Sequence, residues 1–384
     1  MKPIVRVSAL VLVTLAMAGC STLEKWNPFS SSKVKPAELV NFNADLKTST
    51  RWSLDVGNSE QGYFQPVVYD GVVYAASESG RVVALDKSTG RIKWQAKTDN
   101  KLRAGVAVTA DTVAVVDSAN QLVAFDFQGK AKWKTAMDVD VTSVPTGSIN
   151  SIIVRGIDFS VISIASDSGQ QRWKHSRQLP PLTLRINSTV DINNARVYAG
   201  FPGGRLVGLD LNTGNVVWEA ILASPTGTTE IERIADVTGN PVYNFREVCA
   251  AAFQGKVGCL DSTSGKTLWN SELSSPNGAS VDDRYVIAAN ELGDLFAYSR
   301  NGGKQVWRIA NFQRRLPTTP LSVGRSVVIG DFEGYVHFID RDTGKTIART
   351  RVGSSAFTGA AQAAGTNEFL IQSRKGELAL IAVQ

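Results

Sequence analysis

The segment Gly80-Arg-Val-Val-Ala-Leu-Asp-Lys-Ser-Thr-Gly-Arg-Ile-Lys-Trp94 returns in imperfect copies along most of the chain. Arg81 to Leu85 is short, apolar and rich in β-branched residues, a composition typical of a buried strand. Asp86 to Gly90 has turn chemistry, since the glycine can adopt a positive φ and the aspartate can accept bonds from backbone amides. Arg91 to Trp94 begins a return strand, so the segment predicts a β-hairpin.

The copies recur at intervals of about 40 residues, a period typical of repeat architectures. Their tryptophans are Trp52, Trp94, Trp133, Trp173, Trp218, Trp269 and Trp307, and Ala348 stands where an eighth would be. The intervals contain no convincing helical period, and each has room for four short strands joined by tight turns. Such units predict the blades of a β-propeller.

The two ends of the repeat region set the number of blades. Glu377 to Val383 supplies an inner strand with no tryptophan strand after it, whereas Thr50 to Val56 is a tryptophan strand with no blade before it. Pairing the two closes a ring and removes the exposed edges of an open array. The sequence therefore predicts an all-β, eight-bladed β-propeller with four-stranded antiparallel blades, closed by its N-terminal and C-terminal strands.

The residue types of the motif have separate physical reasons. Tryptophan is large enough to fill the wedge between neighbouring blades, and its indole N–H is expected to bond a carbonyl of the next blade. Four residues after the leading glycine lies a small slot, occupied by Ala84, Ala124, Ser163, Gly208, Cys259 and Ala297. Phe338 and Leu380 break this pattern, so we expect the last two blades to pack differently.

Two interpretations of Cys259 stay open. It is either a small buried filler of its slot or one half of a disulfide with Cys249. A two-residue turn at Gln254-Gly255 would place the two cysteines on opposite faces of the sheet, whereas a bulge would bring them together.

The N-terminal residues predict export. Residues 1–19 combine the basic Lys2 and Arg6 with an apolar run from Val7 to Ala18, as a secretory signal does. The sequence Leu15-Ala-Met-Ala-Gly-Cys20 resembles a bacterial lipoprotein box, which implies lipidation of Cys20, and the Ser that follows implies sorting to the outer membrane. We expect residues 20–45 to form a flexible tether and residues 46–384 to form the propeller.

Composition and motifs argue against several functions. The formal net charge of +6 is mild and no block of Lys or Arg is present, so nucleic-acid binding is not supported. The chain has no Gly-rich phosphate loop, HExxH or CxxC. We expect structural roles for His175 and His337, and no catalytic residue, metal or cofactor.

Two insertions interrupt the repeat. One is Ser176 to Arg185, with the sequence Ser-Arg-Gln-Leu-Pro-Pro-Leu-Thr-Leu-Arg, and the longer one runs from Ser224 to Pro241. Long loops on a rigid ring are where binding usually resides. These two stretches are therefore the predicted functional regions.

The repeated Asp-x-x-(Ser/Thr)-Gly-(Lys/Arg)-x-x-Trp signature resembles the quinoprotein-type (PQQ-like) propeller repeat. Together with the lipoprotein box, the eight blades and the two insertions, it makes the chain resemble the BamB family, the propeller lipoproteins of the outer-membrane β-barrel assembly machinery. The resemblance implies a non-enzymatic scaffold on the periplasmic face of the outer membrane. Its implied partners are the periplasmic domains of BamA, other subunits of the machinery and nascent outer-membrane proteins.

The resemblance also implies a partner-binding site. Leu182, Leu184 and Arg185 match the family's binding loop, and Asp236 matches an acidic position in the second loop. The family often has another Asp two residues later, where this chain has Thr238. In the alternative interpretation, the two leucines pack under the loop and Arg185 pairs with Asp236 within the protein.

Two other functions share some of these features. A PQQ-dependent dehydrogenase commonly has a vicinal cysteine pair and long insertions for its pocket, but Cys249 and Cys259 are not vicinal and the chain is barely longer than eight bare blades. A scaffold lipoprotein of another envelope complex would have the same lipoprotein box and propeller, so partner identification would separate it from the assembly role.

Overall fold

The computed structural model describes residues 35–184, 188–193 and 195–384. The elements in this part of the chain are β-strands, and none of its residues form a helix long and apolar enough to cross a membrane. Strands β1 (Thr48–Asp55) and β2 (Tyr63–Phe64) precede the first complete blade.

The first four blades follow in chain order. Blade 1 contains β3 (Val67–Tyr69), β4 (Val72–Ala76), β5 (Arg81–Asp86) and β6 (Ile92–Lys97). Blade 2 contains β7 (Leu102–Val108), β8 (Val113–Asp117), β9 (Gln121–Phe125) and β10 (Ala131–Ala136). Blade 3 contains β11 (Thr146–Gly147), β12 (Ser151–Arg155), β13 (Val161–Ala165) and β14 (Gln171–His175). Blade 4 contains β15 (Val190–Asn193), β16 (Arg196–Phe201), β17 (Arg205–Asp210) and β18 (Val216–Ile221).

The remaining blades complete the ring. Blade 5 contains β19 (Val237–Asn244), β20 (Glu247–Ala252), β21 (Lys256–Asp261) and β22 (Thr267–Glu272). Blade 6 contains β23 (Ala279–Val281), β24 (Tyr285–Ala289), β25 (Leu295–Ser299) and β26 (Gln305–Ile309). Blade 7 contains β27 (Leu321–Val323), β28 (Ser326–Gly330), β29 (Tyr335–Asp340) and β30 (Thr346–Arg351). Blade 8 contains β31 (Gln362–Gly365), β32 (Glu368–Gln372), β33 (Glu377–Val383) and β1.

The four strands of a blade are named A to D from the axis outward, because the first strands of successive blades contact one another around the centre. Strands B and C are buried almost throughout, whereas the D strands alternate between covered and exposed residues. The ring closes as predicted: β1 pairs antiparallel with β33, from Thr48 opposite Val383 to Asp55 opposite Glu377.

Blade 2 departs from the predicted four antiparallel strands. Its A strand, β7, also pairs in parallel with β2, so Tyr63 lies opposite Ala104 and Phe64 opposite Gly105. Phe64 is fully buried and packs in the cluster shared by blades 1 and 2. Burial of this ring holds the connection from β1 to β3 against the axis, and nothing in the repeat pattern predicts it.

Each tryptophan of the repeat joins two blades. The Trp52 indole N–H donates to the Lys87 carbonyl of the next blade at 2.8 Å, and its ring lies against Gly90, where a Cβ would approach to 2.7 Å. Trp133, Trp173, Trp218 and Trp307 donate in the same way. Among the described residues, neither Trp94 nor Trp269 makes such a bond. The pairs that share the ring-on-glycine contact are Trp94–Gly129, Trp133–Gly169, Trp173–Gly214, Trp218–Gly265, Trp269–Gly303 and Trp307–Gly344.

The small slot of the motif lies directly opposite the tryptophan. Ala84 pairs with Trp94 across β5 and β6, and the same register places the other small residues opposite their tryptophans. In blade 7 the sizes are exchanged, because Phe338 pairs with Ala348 and its ring packs against Phe369 of blade 8. This confirms the prediction for blade 7, whereas in blade 8 the slot residue Leu380 still lies opposite a tryptophan, Trp52.

The loss of tryptophan at position 348 has a topological reason. The next blade is blade 8, whose C and D strands are the two ends of the ring and share no turn. A tryptophan here would have no turn glycine to pack against. Leu46 packs in the same cluster as Ala348 instead.

The two cysteines form a disulfide between β20 and β21, with Cα atoms 4.0 Å apart. Of the two interpretations left open, the structure has the disulfide, because the turn is not a two-residue turn. Ala251 pairs with Val257, which leaves an odd number of residues in the turn and places Cys249 directly opposite Cys259. Both cysteines are buried, and Cys259 also occupies its small slot opposite Trp269.

Hydrogen bonds to the propeller begin before residue 46. Arg315 Nη1 donates to the Ala37 carbonyl at 2.9 Å, and Arg349 Nη2 donates to the Val40 carbonyl at 2.8 Å. The Asp45 N–H donates to the Ile347 carbonyl at 2.9 Å. The last part of the predicted tether, from Ala37 onward, thus lies along blade 7, whereas Cys20 lies outside the described residues.

Candidate functional site

Both insertions connect the D strand of one blade to the A strand of the next. The first loop (residues 176–189) joins β14 to β15, and the second loop (residues 222–236) joins β18 to β19. Since D-to-A connections of a propeller emerge on one face of the ring, the two loops lie side by side on that face, on either side of blade 4.

Asp236 ties the two loops together. Its Oδ2 accepts the Leu184 N–H at 2.6 Å, and its Oδ1 accepts the Gly203 N–H at 3.1 Å. The residue is only 3% exposed. Burial raises the pKa of Asp236, while the bonds from Leu184 and Gly203 oppose that rise. One buried carboxylate at the end of the second loop thus fixes the first loop and the B-to-C turn of blade 4.

A small cavity of about 190 Å³ lies between the two loops. Its wall combines apolar residues with two acidic residues and one arginine. The lining residues are Pro180, Pro181, Leu182, Gly203, Pro225, Glu230, Arg233 and Asp236. Three prolines restrict the backbone around the cavity, so its shape is largely set before any partner binds.

The second loop is organised by its own hydrogen bonds. Glu232 Oε2 accepts the Thr229 N–H at 3.0 Å and the Thr228 N–H at 2.8 Å, and the Glu232 N–H donates to Thr229 Oγ1 at 3.3 Å. The bonds from Thr229 and Thr228 lower the pKa of Glu232. Arg233 Nε donates to the Gly227 carbonyl at 3.2 Å. The loop holds this shape while Ile231 stays 68% exposed.

The base of the first loop rests on Phe201 of β16, which is buried. The guanidinium groups of Arg155 and Arg177 lie over its ring, 4.6 and 5.1 Å from the centroid. Arg177 Nη2 also donates to Glu219 Oε1 on β18 at 3.1 Å. Burial lowers the pKa of Arg155 to about 9. These contacts fix where the first loop leaves blade 3.

The predicted partner-binding residues differ in exposure. Leu182 is 45% exposed at the edge of the cavity, and Leu184 is half-buried. Arg185 lies outside the described residues. Asp236 is buried rather than presented to solvent, so it acts on the surface through the backbone that it holds.

Thr238, where the family often has a second Asp, is also buried. Its hydroxyl donates to the Ser275 carbonyl at 2.5 Å. A carboxylate could not donate this bond, so the threonine suits this position.

Sequence reasoning missed Ile231, the most exposed large apolar side chain among the described residues of the two loops. The only available signal was its position inside an interruption of the repeat. His337 lies away from this surface, in blade 7, whereas His175 ends β14 directly before the first loop. His175 packs edge-on against Phe201, and His337 is buried with Nε2 2.9 Å from Asp331 Oδ2.

One group of three side chains in the described part of the chain has metal-ligand atoms close together, Glu247, Cys249 and Cys259. Since the two Sγ atoms are bonded to each other, this group is a structural bridge with a neighbouring carboxylate.

The chain matches proteins of one family over most of its length. A family model described as outer membrane protein assembly factor BamB matches residues 37–104 and 78–309. The outer membrane protein assembly factor BamB of Bordetella pertussis is 34% identical over 368 residues, covering 96% of this chain and 94% of that protein. The corresponding protein of Burkholderia pseudomallei is 35% identical over 369 residues, covering 96% and 95%.

Solved structures agree on the fold. The crystal structure of BamB from Moraxella catarrhalis superposes with a TM-score of 0.79 at 24% identity, covering 88% of this chain and all of that one. A quinohemoprotein alcohol dehydrogenase from Comamonas testosteroni superposes with a TM-score of 0.66 at 13% identity, which is a likeness of fold alone. With an eight-bladed ring and relatives that match over more than nine-tenths of both chains, the chain belongs to the family of the outer membrane protein assembly factor BamB.

Proposed function

We propose that this chain is a non-catalytic scaffold of outer-membrane protein assembly that binds the periplasmic domains of BamA. In this role it assists the folding and insertion of outer-membrane proteins. The names of its relatives support the assembly role. The observation that carries the binding role is the surface of the first and second loops, which is held in one shape by the buried Asp236.

The surface suits protein binding because it is preorganised. A partner does not have to order residues 176–184 of the first loop, since Asp236 and the Arg177–Glu219 pair already hold them. Preorganised loops lose less conformational entropy on binding, so more of the contact energy remains as affinity.

Leu182 and Ile231 are the proposed apolar anchors. Both are exposed: Leu182 lines the cavity, and Ile231 follows Glu230, which also lines it. A partner side chain could cover both and enter the space between the loops. Leu184 supports the first loop from a half-buried position, and Arg185 is the proposed polar anchor on the basis of its match to the family's loop. A few anchors of this kind carry most of the energy of a protein interface.

Lipidation of Cys20 is the proposed means of attachment to the periplasmic face of the outer membrane. Several acyl chains on one residue would hold the chain stably, because a single chain binds a bilayer only marginally. On the propeller side, the Ala37 N–H donates to the carbonyl of Gln313, in the loop between blades 6 and 7.

The binding role is tested with the full-length lipoprotein in detergent and purified periplasmic domains of BamA. Leu182→Ser is expected to weaken the Kd about tenfold, while the midpoint of thermal unfolding changes little because the side chain is exposed. Biolayer interferometry measures the affinity.

Val216→Ser is the matched control, since Val216 is 47% exposed at the opposite end of blade 4. It should bind like the unsubstituted chain. Equal affinity of Leu182→Ser and the unsubstituted chain, or an equal loss in both variants, would contradict the proposed site.

A further inference from the structure

A third loop on the same face presents an apolar side chain to solvent. It comprises residues 310–320 and connects β26 of blade 6 to β27 of blade 7. Leu316 is 74% exposed, and Arg314, two residues earlier, is exposed as well. This loop keeps the period of the repeat, so counting tryptophans gives no reason to notice it.

The third loop is anchored by the residues between the exposed ones. Arg315 is buried, and its Nε and Nη2 donate to Asp331 Oδ2 at 2.9 and 2.7 Å. Phe312 is buried edge-on against His337, with ring centroids 4.9 Å apart. Pro317 is buried too. Because the anchors on both sides point inward, Leu316 is held outward and cannot fold back onto the propeller.

The exposed residues adopt a backbone conformation that side chains disfavour. Arg314 has φ of 58° and Leu316 has φ of 49°, in the left-handed region that glycine tolerates best. Glycine would therefore fit position 316 with less strain. A strained, solvent-facing leucine contributes little to folding, and outliers of this kind cluster at binding sites.

A continuous chain of contacts joins the third loop to the two-loop site. Ser188 Oγ, at the end of the first loop, donates to the Gly239 carbonyl at 2.7 Å. Gly239 packs closely against Gly278: a Cβ added to Gly239 would lie 2.6 Å from the Cα atom of Gly278. The neighbouring Asn277 donates its side-chain N–H to the Pro317 carbonyl at 3.1 Å. The rim of this face is therefore one connected structure.

The space enclosed by this rim is a basin of about 750 Å³ around the axis. Thr189 and Asn240 line it on the side of the first two loops, and Arg314, Leu316 and Leu292 line it on the other. Since residues from both sides line the same basin, a protein domain seated on the two-loop surface and the basin would extend toward Leu316.

We propose that Leu316 and Arg314 form a second contact for the same partner that binds the two-loop surface. The inference rests on the proposed function and adds a second attachment point to it. An exposed leucine beside an exposed guanidinium fits an apolar patch flanked by a carboxylate. Two separated contacts fix the orientation of a partner. A single compact contact would allow the partner to tilt more.

The test compares Leu316→Gly and Arg314→Asp in the full-length lipoprotein, with purified BamA periplasmic domains as the probe. Leu316→Gly is expected to weaken the Kd about fivefold while the unfolding midpoint stays the same or rises, because glycine removes the strain together with the side chain. Arg314→Asp is expected to weaken the Kd by a similar factor and to slow association.

Ile149→Ser is the control, because Ile149 is 80% exposed in the A-to-B turn of blade 3, on the other face of the ring. If Leu182→Ser weakens binding but Leu316→Gly and Arg314→Asp bind normally, the second contact is wrong and the proposed function stands. If the unsubstituted chain does not bind the probe, both are overturned. A lower unfolding midpoint in Leu316→Gly would assign the leucine to folding and would also overturn the inference.

Discussion

Asp86 in a repeat turn and Asp236 in the second loop both accept backbone N–H bonds, yet their pKa values move in opposite directions. Hydrogen bonds from Ser88 and Thr89 lower the pKa of Asp86 to about 2. Asp236 accepts bonds from Leu184 and Gly203, but burial outweighs them and raises its pKa. At the surface the hydrogen bonds dominate, whereas in the interior the loss of water dominates.

This difference between Asp86 and Asp236 reflects a difference between the repeat turns and the two-loop surface. The turn around Asp86 is closed by bonds within a few residues, and Gly90 then receives the ring of Trp52 from the neighbouring blade. Asp236 instead fixes segments that are distant in sequence, at the cost of burying a charge. The repeat turns build the ring locally, and the loop surface depends on one long-range polar contact.

The largest expected effect is on the ring. Trp307→Ala removes a ring packed against Gly344 and a bond of 2.8 Å to the Arg341 carbonyl, so we expect the free energy of unfolding to fall by about 3–5 kcal/mol. Urea unfolding measures it, with Trp307→Phe as a control that keeps most of the ring. A loss below about 1 kcal/mol would show that the sheets alone hold the blades.

The next test applies one substitution to both aspartates. Asp236→Asn leaves a buried N–H of Leu184 or Gly203 without an acceptor, so the free energy of unfolding should fall by about 1–3 kcal/mol. Partner binding should weaken as well, since the first loop loses its attachment. Asp86→Asn should cost less and leave binding unchanged, because water can replace the lost bond. Equal losses of stability in the two variants would remove the distinction between turn and loop.

The smallest expected effect is the pH dependence of what Asp86 and Asp236 each contribute to the free energy of unfolding. The pKa of Asp86 is lowered from 3.8 to about 2, so its stabilisation is present above pH 3.8 and is lost as the pH falls toward 2. The pKa of Asp236 is raised above 3.8, so ionisation opposes folding and its cost appears as the pH rises through the folded pKa.

Urea unfolding of the unsubstituted chain, Asp86→Asn and Asp236→Asn, from about pH 2 upward, shows whether each aspartate gains or loses stabilising effect as the pH rises. The stability advantage of the unsubstituted chain over Asp86→Asn should shrink toward low pH. Its advantage over Asp236→Asn should shrink toward higher pH. The same trend in both comparisons would contradict the opposite shifts.

Much of the fold was predictable because the same motif occurs in successive blades, and each copy indicates the same local structure. Tryptophan, turn glycine and small slot recur together, and the structure places all three in contact at successive blade junctions. The disulfide was not predictable, because it depends on whether the turn after Cys249 has an odd or an even number of residues. Strand β2 was missed because a two-residue parallel pairing leaves no periodic signal.

The sequence by itself determined the ring, its closure and the positions at which the repeat is interrupted, since these follow from local turn chemistry and from periodic side-chain size. Only the tertiary structure decided how the interruptions are used. It buried Asp236 rather than exposing it, left Leu182 and Ile231 in solvent, and placed Leu316 on the same rim. Burial and exposure of loop residues depend on contacts between distant segments, which no local pattern records.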